Sequence, residues 1–229
     1  MLRLQAGLVD VYRGLDTCKV ANAIETFDVR LRNEGFADPT IRAVFDDLPP
    51  VIGHAVTARI RTSVPPPVGD SYHDRTDWWN YILTVPAPRI VVVEDADESP
   101  GVGAFIGEVH ANILAALGCV AYATNGSVRD LPRVRRAGFQ CFAPRVAVSH
   151  AYAHIVDFGQ PVTIGGLHIA SEDILYGDRH GLLTIPPEIV EGVPETVKRM
   201  SGAEQRVIRL CQSVDFSVDR LRALVKELE

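Results

Sequence analysis

Residues 107–130, GEVHANILAALGCVAYATNGSVRD, gather the side chains best able to do chemistry. Arg129 and Asp130 stand side by side, just past a short apolar run and an Asn125-Gly126 turn. An arginine offers a fork of N–H donors that matches a carboxylate or phosphate. An aspartate next to it can hold a divalent cation through oxygen, directly or through water. Upstream, Gly107, Glu108, Val109 and His110 open a helical pattern. The first turn of a helix has unpaired N–H groups and the positive end of the dipole, so it attracts anions. Together these features suit a small acidic substrate held on a metal. The plainer alternative is a helix with an acidic first turn followed by a surface Arg–Asp pair, a common arrangement.

Two elements must position these groups. Phe105, Val109, Ile113 and Leu117 recur every four residues, which predicts a helix with a buried stripe, and Gly118 reads as its stop. Cys119 to Thr124 is apolar enough for a buried strand. Arg129 and Asp130 then fall beyond that strand's carboxyl end, the edge at which α/β folds tend to bind ligands.

The spacing Gly107-Glu108, Gly118, Asn125-Gly126, Val128-Arg129-Asp130 resembles the signature of the RraA-like family. That family includes the 4-hydroxy-4-methyl-2-oxoglutarate / 4-carboxy-4-hydroxy-2-oxoadipate aldolases. A second stretch, PVTIGGLHIASEDILYGDRHGLLTIP at 161–186, is similar to the family's glycine-rich block ending in Ile-Pro, and matching pieces run from about Ala55 to Glu204. Two positions depart from the pattern. Ser171-Glu172-Asp173 stands where the family usually shows Pro-Gly-Asp, and Asn125 stands where characterised aldolases often carry Asp.

The resemblance implies an α/β fold, a compact swivelling β/β/α-type domain with a mixed sheet and flanking helices. One such domain would span 1–229, with an N-terminal helical segment over about 1–50 and C-terminal helices over about 187–229. It also implies homotrimers or homohexamers with sites between subunits. The activity implied is a divalent-metal-dependent lyase of the class II aldolase or oxaloacetate decarboxylase type, cleaving a C–C bond of a pyruvate-type 2-oxo acid. On that reading Asp130 anchors Mg2+ or Mn2+. Gly107, Glu108, Val109, His110 and Arg129 bind the substrate, and Glu108, Arg129 and Asp130 form the catalytic set. Arg133 and Glu204 resemble basic and acidic positions of the family. The alternative is a non-catalytic regulator that binds a ribonuclease, as some RraA members do; the intact Arg129-Asp130 pair favours the enzyme. A methyltransferase label attached to some members requires a glycine-rich nucleotide loop, and Gly101, Gly103 and Gly107 have the wrong spacing for one.

Composition narrows the chemistry independently. The chain has 229 residues, enough for one large domain or at most two small ones. Its net charge of −6 argues against a nucleic-acid partner, which requires a basic face. Lysine occurs only at 19, 198 and 226, all far from the central stretch. A Schiff-base aldolase needs a lysine in its pocket, so a metal is the favoured means of stabilising a carbanion. Cys18, Cys119, Cys141 and Cys211 are widely spaced with no CxxC pair, which predicts free thiols and a cytoplasmic location. No apolar run is long enough for a membrane helix, and the first residues lack the apolar core of a signal peptide.

Elsewhere the pattern predicts a helix capped by Asp16-Thr17, strands over 52–62 and 89–94, and a helix over about 77–83. In that helix Trp78 and Trp79 are adjacent and cannot share one face, so one of them packs in the core while the other meets a neighbouring subunit or the pocket rim. Asp95, Asp97 and Glu98 form an acidic cluster that reads as solvated loop carboxylates. A short helix follows Asp130. Strands are expected over 139–143, 154–158, 162–164, 167–170, 174–176 and 182–185, with a hairpin turn at Gly165-Gly166, and helices over 193–214 and 218–228. His73 reads as a loop histidine; His150, His154 and His180 read as structural polar contacts.

Overall fold

The computed structural model describes residues 3–66 and 75–228, so His73 and most of the loop after Pro66 lie outside the described residues. Two short helices begin the chain, α1 (Ala6–Arg13) and α2 (Thr17–Glu25). Asp16 caps α2 as its sequence predicts, accepting the Lys19 N–H at 2.9 Å. A short strand β1 (Arg42–Ala43), the long strand β2 (Val51–Arg61), α3 (Arg75–Thr84) and β3 (Arg89–Asp95) follow. The central stretch supplies β4 (Ala104–Ile106), α4 (Glu108–Ala116), β5 (Cys119–Thr124), β6 (Ser127–Val128) and α5 (Leu131–Arg136). Then come β7 (Gln140–Ala143), β8 (Arg145–Val146), β9 (His154–Phe158), β10 (Val162–Ile164), β11 (Leu167–Ile169), β12 (Ile174–Asp178) and β13 (Gly181–Ile185). Helices α6 (Val193–Cys211) and α7 (Val218–Leu228) close the chain.

The main sheet runs β1-β7-β5-β3-β2-β12-β13, with β9 also paired to β2. Its centre, β7-β5-β3-β2, is parallel; the remaining pairs are antiparallel. Residues 35–37 hydrogen-bond to β13 and the chain then enters β1 at the opposite edge, so the sheet is nearly closed. Three apolar clusters fill it. One packs α3, α4 and α5 on the parallel strands, one packs α1, α2 and α6 against β12 and β13, and one lies beneath the β10–β11 hairpin. In that hairpin Gly165 and Gly166 both have positive φ, as a two-residue turn between twisted strands requires.

Each of three parallel strands runs on past its end into a second, smaller sheet. β3 leads to β4, β5 to β6, and β7 to β8, and these short strands pair in parallel in the order β4-β6-β8. The joint between the layers is built from side chains that bond backbone. Asn125 accepts the Asp95 N–H at 2.7 Å and donates to the Asp95 carbonyl at 3.1 Å. An aspartate there would lose the donor, so the amide at 125 does structural work in this chain. Asp95, only 2% exposed, accepts from Gly101 N and Thr62 Oγ1, and Asp97 accepts the Thr62 and Ser63 N–H groups, both at 2.7 Å. These carboxylates are bound into the joint and are not the solvated pair that the sequence pattern predicts.

The helix α4 forms where its pattern predicts, but its stripe faces differently. Ala111 and Leu114 face the core, whereas Val109 is 71% exposed and Ile113 is half-buried. Of the four-residue apolar repeat, Phe105, Val109 and Ile113 border a cavity, while Leu117 packs against the core.

The departure at Ser171-Glu172 also has a structural account. Ser171 Oγ bonds Tyr81 Oη at 2.6 Å and Thr57 Oγ1 at 3.2 Å, so the serine gains contacts that a proline lacks. Glu172 adopts φ +78°, the left-handed conformation that suits the glycine of the family pattern and costs other residues about 1–2 kcal/mol.

Candidate active site

The candidate residues meet at the carboxyl end of the small sheet. β4 delivers Gly107 and Glu108, and β6 delivers Arg129 and Asp130 beside them. Gly107 is the N-cap of α4 and has no side chain to cap it. The missing cap comes from Asp130, whose Oδ2 accepts the Glu108 N–H at 3.1 Å. A Cβ on Gly107 would lie 2.6 Å from that oxygen and 3.1 Å from Arg129 Nε, so only glycine allows the two loops to approach this closely.

Asp130 itself is held in an unusual state. It is the N-cap residue of α5 but makes no side-chain cap bond there, and its backbone is left-handed at φ +58° and ψ +33°. A forgone cap and a left-handed backbone each cost on the order of 1 kcal/mol. Strain of this kind persists where the surroundings over-determine it, as at functional sites. Its effect here is to swing the carboxylate away from its own helix toward α4. Arg129 Nε lies 3.9 Å from Asp130 Oδ2, and Arg133 reaches Glu108 at 3.4 Å. The predicted set Gly107, Glu108, Arg129 and Asp130 is therefore brought together, and Arg133 joins it.

Val109, His110 and Arg129 line an adjoining cavity of about 330 Å3, with Trp79, Phe105, Ile113, His150 and Ala153 completing its wall. That is at the small end of ligand clefts. His110 stacks on Phe105, with ring centroids 4.9 Å apart and planes 16° from parallel. Trp78 is buried while Trp79 reaches the cavity, the division expected for adjacent residues of one helix. No lysine lines the cavity. His154 and His180 stand apart as structural groups. His154 is buried with Nδ1 on the Tyr152 carbonyl, and His180 belongs to the Asp178 turn. Glu204 is exposed on α6.

The donor set bears on whether a metal fits. Among the described residues no three His, Cys, Asp or Glu side chains cluster as a cage. Asp130 uses Oδ2 for the Glu108 amide, and Oδ1 has no hydrogen-bond partner among the described residues. One spare carboxylate oxygen beside an open cavity suits a hydrated Mg2+-like ion, which keeps several waters and takes one or two carboxylates. The residues fit that ion and do not fit a structural zinc site.

The comparisons agree with this architecture. The sequence model of the RraA-like family, described as Aldolase/RraA, matches residues 17–184, and the chain belongs to that family. Among solved structures, an uncharacterized protein from Pseudomonas syringae pv. tomato superposes with TM-score 0.73 at 19% identity, covering 97% of this chain and 95% of that one. Streptomyces coelicolor RraAS2, described as an unusual member of the RNase ES inhibitor RraA protein family, gives 0.68 at 19% identity, covering 89% and 97%. A structure titled as novel cellulases from gut-associated microbes gives 0.72 at 20% identity, covering 90% and 89%. At these identities the likenesses establish the shared fold. A search of curated proteins returns no match. No helix among the described residues is long and apolar enough to cross a membrane.

Proposed function

We propose that this chain is a divalent-metal-dependent lyase that cleaves a C–C bond of a pyruvate-type 2-oxo acid, as an aldolase, an oxaloacetate decarboxylase or both. The observation that carries this reading is Asp130, a carboxylate turned out of its own helix by a left-handed backbone, with one spare oxygen beside Arg129 and a cavity. Asp130 is the residue to hold Mg2+ or Mn2+. When bound, such an ion supplies Lewis-acid stabilisation for charge developing on the substrate's 2-oxo oxygen.

The chain's own groups do the rest. Arg129 presents its fork to the substrate carboxylate and adds a fixed positive charge next to the developing oxyanion. A guanidinium has donors only and no acceptor, so Arg129 serves as an anion binder and not as a base. The first-turn amides of α4 continue the anion site, with the Glu108 amide committed to Asp130 and the next amides facing the ligand. Glu108, paired with Arg133, orients the loop. The apolar wall of Trp79, Phe105, Val109, Ile113 and Ala153 keeps water from the reacting carbon. Val109, Val146 and Val148, all strongly exposed near the site, support assembly into homotrimers or homohexamers with sites at subunit contacts.

Pyruvate release from oxaloacetate and from 4-hydroxy-4-methyl-2-oxoglutarate, with Mg2+ and then with EDTA, tests the proposal. Chelator-sensitive release above the metal-only background is expected. Its absence on both substrates would overturn the lyase reading and favour the second one, a ribonuclease-binding regulator, which the fold likeness to RraAS2 keeps in view.

A further inference from the structure

We propose that His150 is the general base of retro-aldol cleavage, an inference that rests on the lyase reading above. The sequence gives no reason to place His150 near Arg129, because some twenty residues and two strands separate them; the pairing of β8 with β6 brings the loop 147–153 to the cavity.

That loop is fixed at both ends. Ala147 N donates to the Val128 carbonyl at 3.0 Å, and Tyr152 N to the Thr62 carbonyl at 3.1 Å. In its middle the Ser149 carbonyl accepts from Ala104 N at 3.0 Å, and the His150 carbonyl accepts from Ala153 N at 2.9 Å. The His150 carbonyl also lies so close to Gly103 that a Cβ there would come within 2.4 Å of it. Ala151 has φ +46°, a left-handed conformation that an alanine adopts only when its neighbours impose it. This conformation sets the Ala151 carbonyl 2.7 Å from His150 Nδ1. A carbonyl oxygen only accepts, so Nδ1 carries the hydrogen. In the neutral ring Nε2 is then left with a bare lone pair, the form a general base requires. Among the described residues the cavity's other imidazole is His110, which lies flat against Phe105. Among the described residues no carboxylate lines the cavity, and Asp130 and Glu108 beside it pair with Arg129 and Arg133.

The step balances within the substrate. The proton of the C4 hydroxyl passes to Nε2, and the O–H electron pair forms the C4 carbonyl. The C3–C4 bond breaks, and its electron pair enters the pyruvate enolate. C3 then takes the proton back from the imidazolium, so that the enolate half and the C4 ketone half leave as two pyruvates and His150 is neutral again. Decarboxylation of oxaloacetate reaches the same enolate with no hydroxyl proton to remove, so it has no need of this base.

The two reactions therefore form an internal control. In His150→Ala, cleavage of 4-hydroxy-4-methyl-2-oxoglutarate should fall by about 10²–10⁴, the usual range for a lost general base, and by at least about tenfold more than oxaloacetate decarboxylation falls. Added imidazole should restore part of the cleavage. His150→Gln, which keeps a polar side chain in the loop, should behave like the alanine variant without imidazole rescue. Equal losses on both substrates, or no loss on the first, would overturn the role of His150. Decarboxylation without any cleavage by the unaltered protein would overturn it too while leaving the lyase reading intact. Silence on both substrates would overturn the lyase reading itself.

Discussion

Asp130 and Asp178 are both aspartates at the ends of short strands, and they do different work. Asp178, 5% exposed, accepts from Thr17 N at 2.9 Å, Thr17 Oγ1 at 2.6 Å, His180 N at 2.8 Å and His180 Nδ1 at 3.2 Å. Burial alone would push its pKa up; these bonds outweigh it and hold the carboxyl below its ordinary value. Every lone pair is used to tie the start of α2 to the β12–β13 turn. Asp130 accepts one N–H, keeps an oxygen to spare and sits on strained backbone. A saturated carboxylate builds the fold, and an unsaturated one is available to a ligand. The same contrast separates Asp130 from Asp95 and Asp97, which stand at or just past the end of β3 but are filled by backbone donors.

The contrast can be broken first at Asp130. Asp130→Ala should reduce metal-dependent pyruvate release by about 10³ or more, some 4 kcal/mol of transition-state stabilisation, while losing only the α4 cap, about 1–2 kcal/mol in urea unfolding, and staying folded. An active variant would end the assignment.

Asp178→Ala should do the reverse. Leaving the buried Thr17 N–H and hydroxyl donors unmatched costs about 3 kcal/mol of stability, read by urea unfolding, with kcat per folded molecule unchanged. A pH series sharpens this. A carboxyl held low in the folded state contributes stability above its unfolded pKa of about 3.9 and loses it as pH falls through the folded value. The unaltered protein should therefore lose stability on acidification from pH 5 to 3 more steeply than Asp178→Asn.

Gly107→Ala tests how closely the two site loops must approach. Its Cβ would press on Asp130 Oδ2, and a displacement of about 1 Å at a reacting centre costs about 10² in kcat/KM. Unchanged kinetics would mean that the loops have slack. The smallest effect is expected at Glu172, strained like Asp130 but absent from the cavity wall. Glu172→Gly should raise stability by up to about 1 kcal/mol in thermal unfolding with no kinetic change, as relief of left-handed strain predicts.

Much of this was legible in the residues. The helix at Glu108, the strand at Cys119 and the placement of Arg129-Asp130 past its end all follow from local pattern, and the matching stretches revealed the family. The Asp16 cap, the Gly165-Gly166 turn and the division of labour between Trp78 and Trp79 were likewise readable. What could not be read depends on tertiary approach. Apolar periodicity does not distinguish a core from a cavity wall, so Val109 and Ile113 resembled buried residues while the true core contact included Ala111, too small to mark a stripe. His150 reaches the site only through a pairing of two-residue strands, for which sequence has almost no signal. Asn125 and Asp95 look like polar loop residues until the second layer of sheet shows what they join.

Arg89 shows how far the site's geometry extends. Buried at the start of β3, it donates from Nη1 to the Leu117 carbonyl at 2.6 Å and from Nε to the Val85 carbonyl at 2.6 Å. It thus pins the tail of α4 to the tail of α3. Nine residues of helix form a rod of about 13 Å, so a rotation of only about 4° about that pinned end would carry the other end through about 1 Å. The pointing accuracy of the Glu108 end is therefore set by a hinge pin at the opposite end of a lever, and wear at the pin would register as error at the tip.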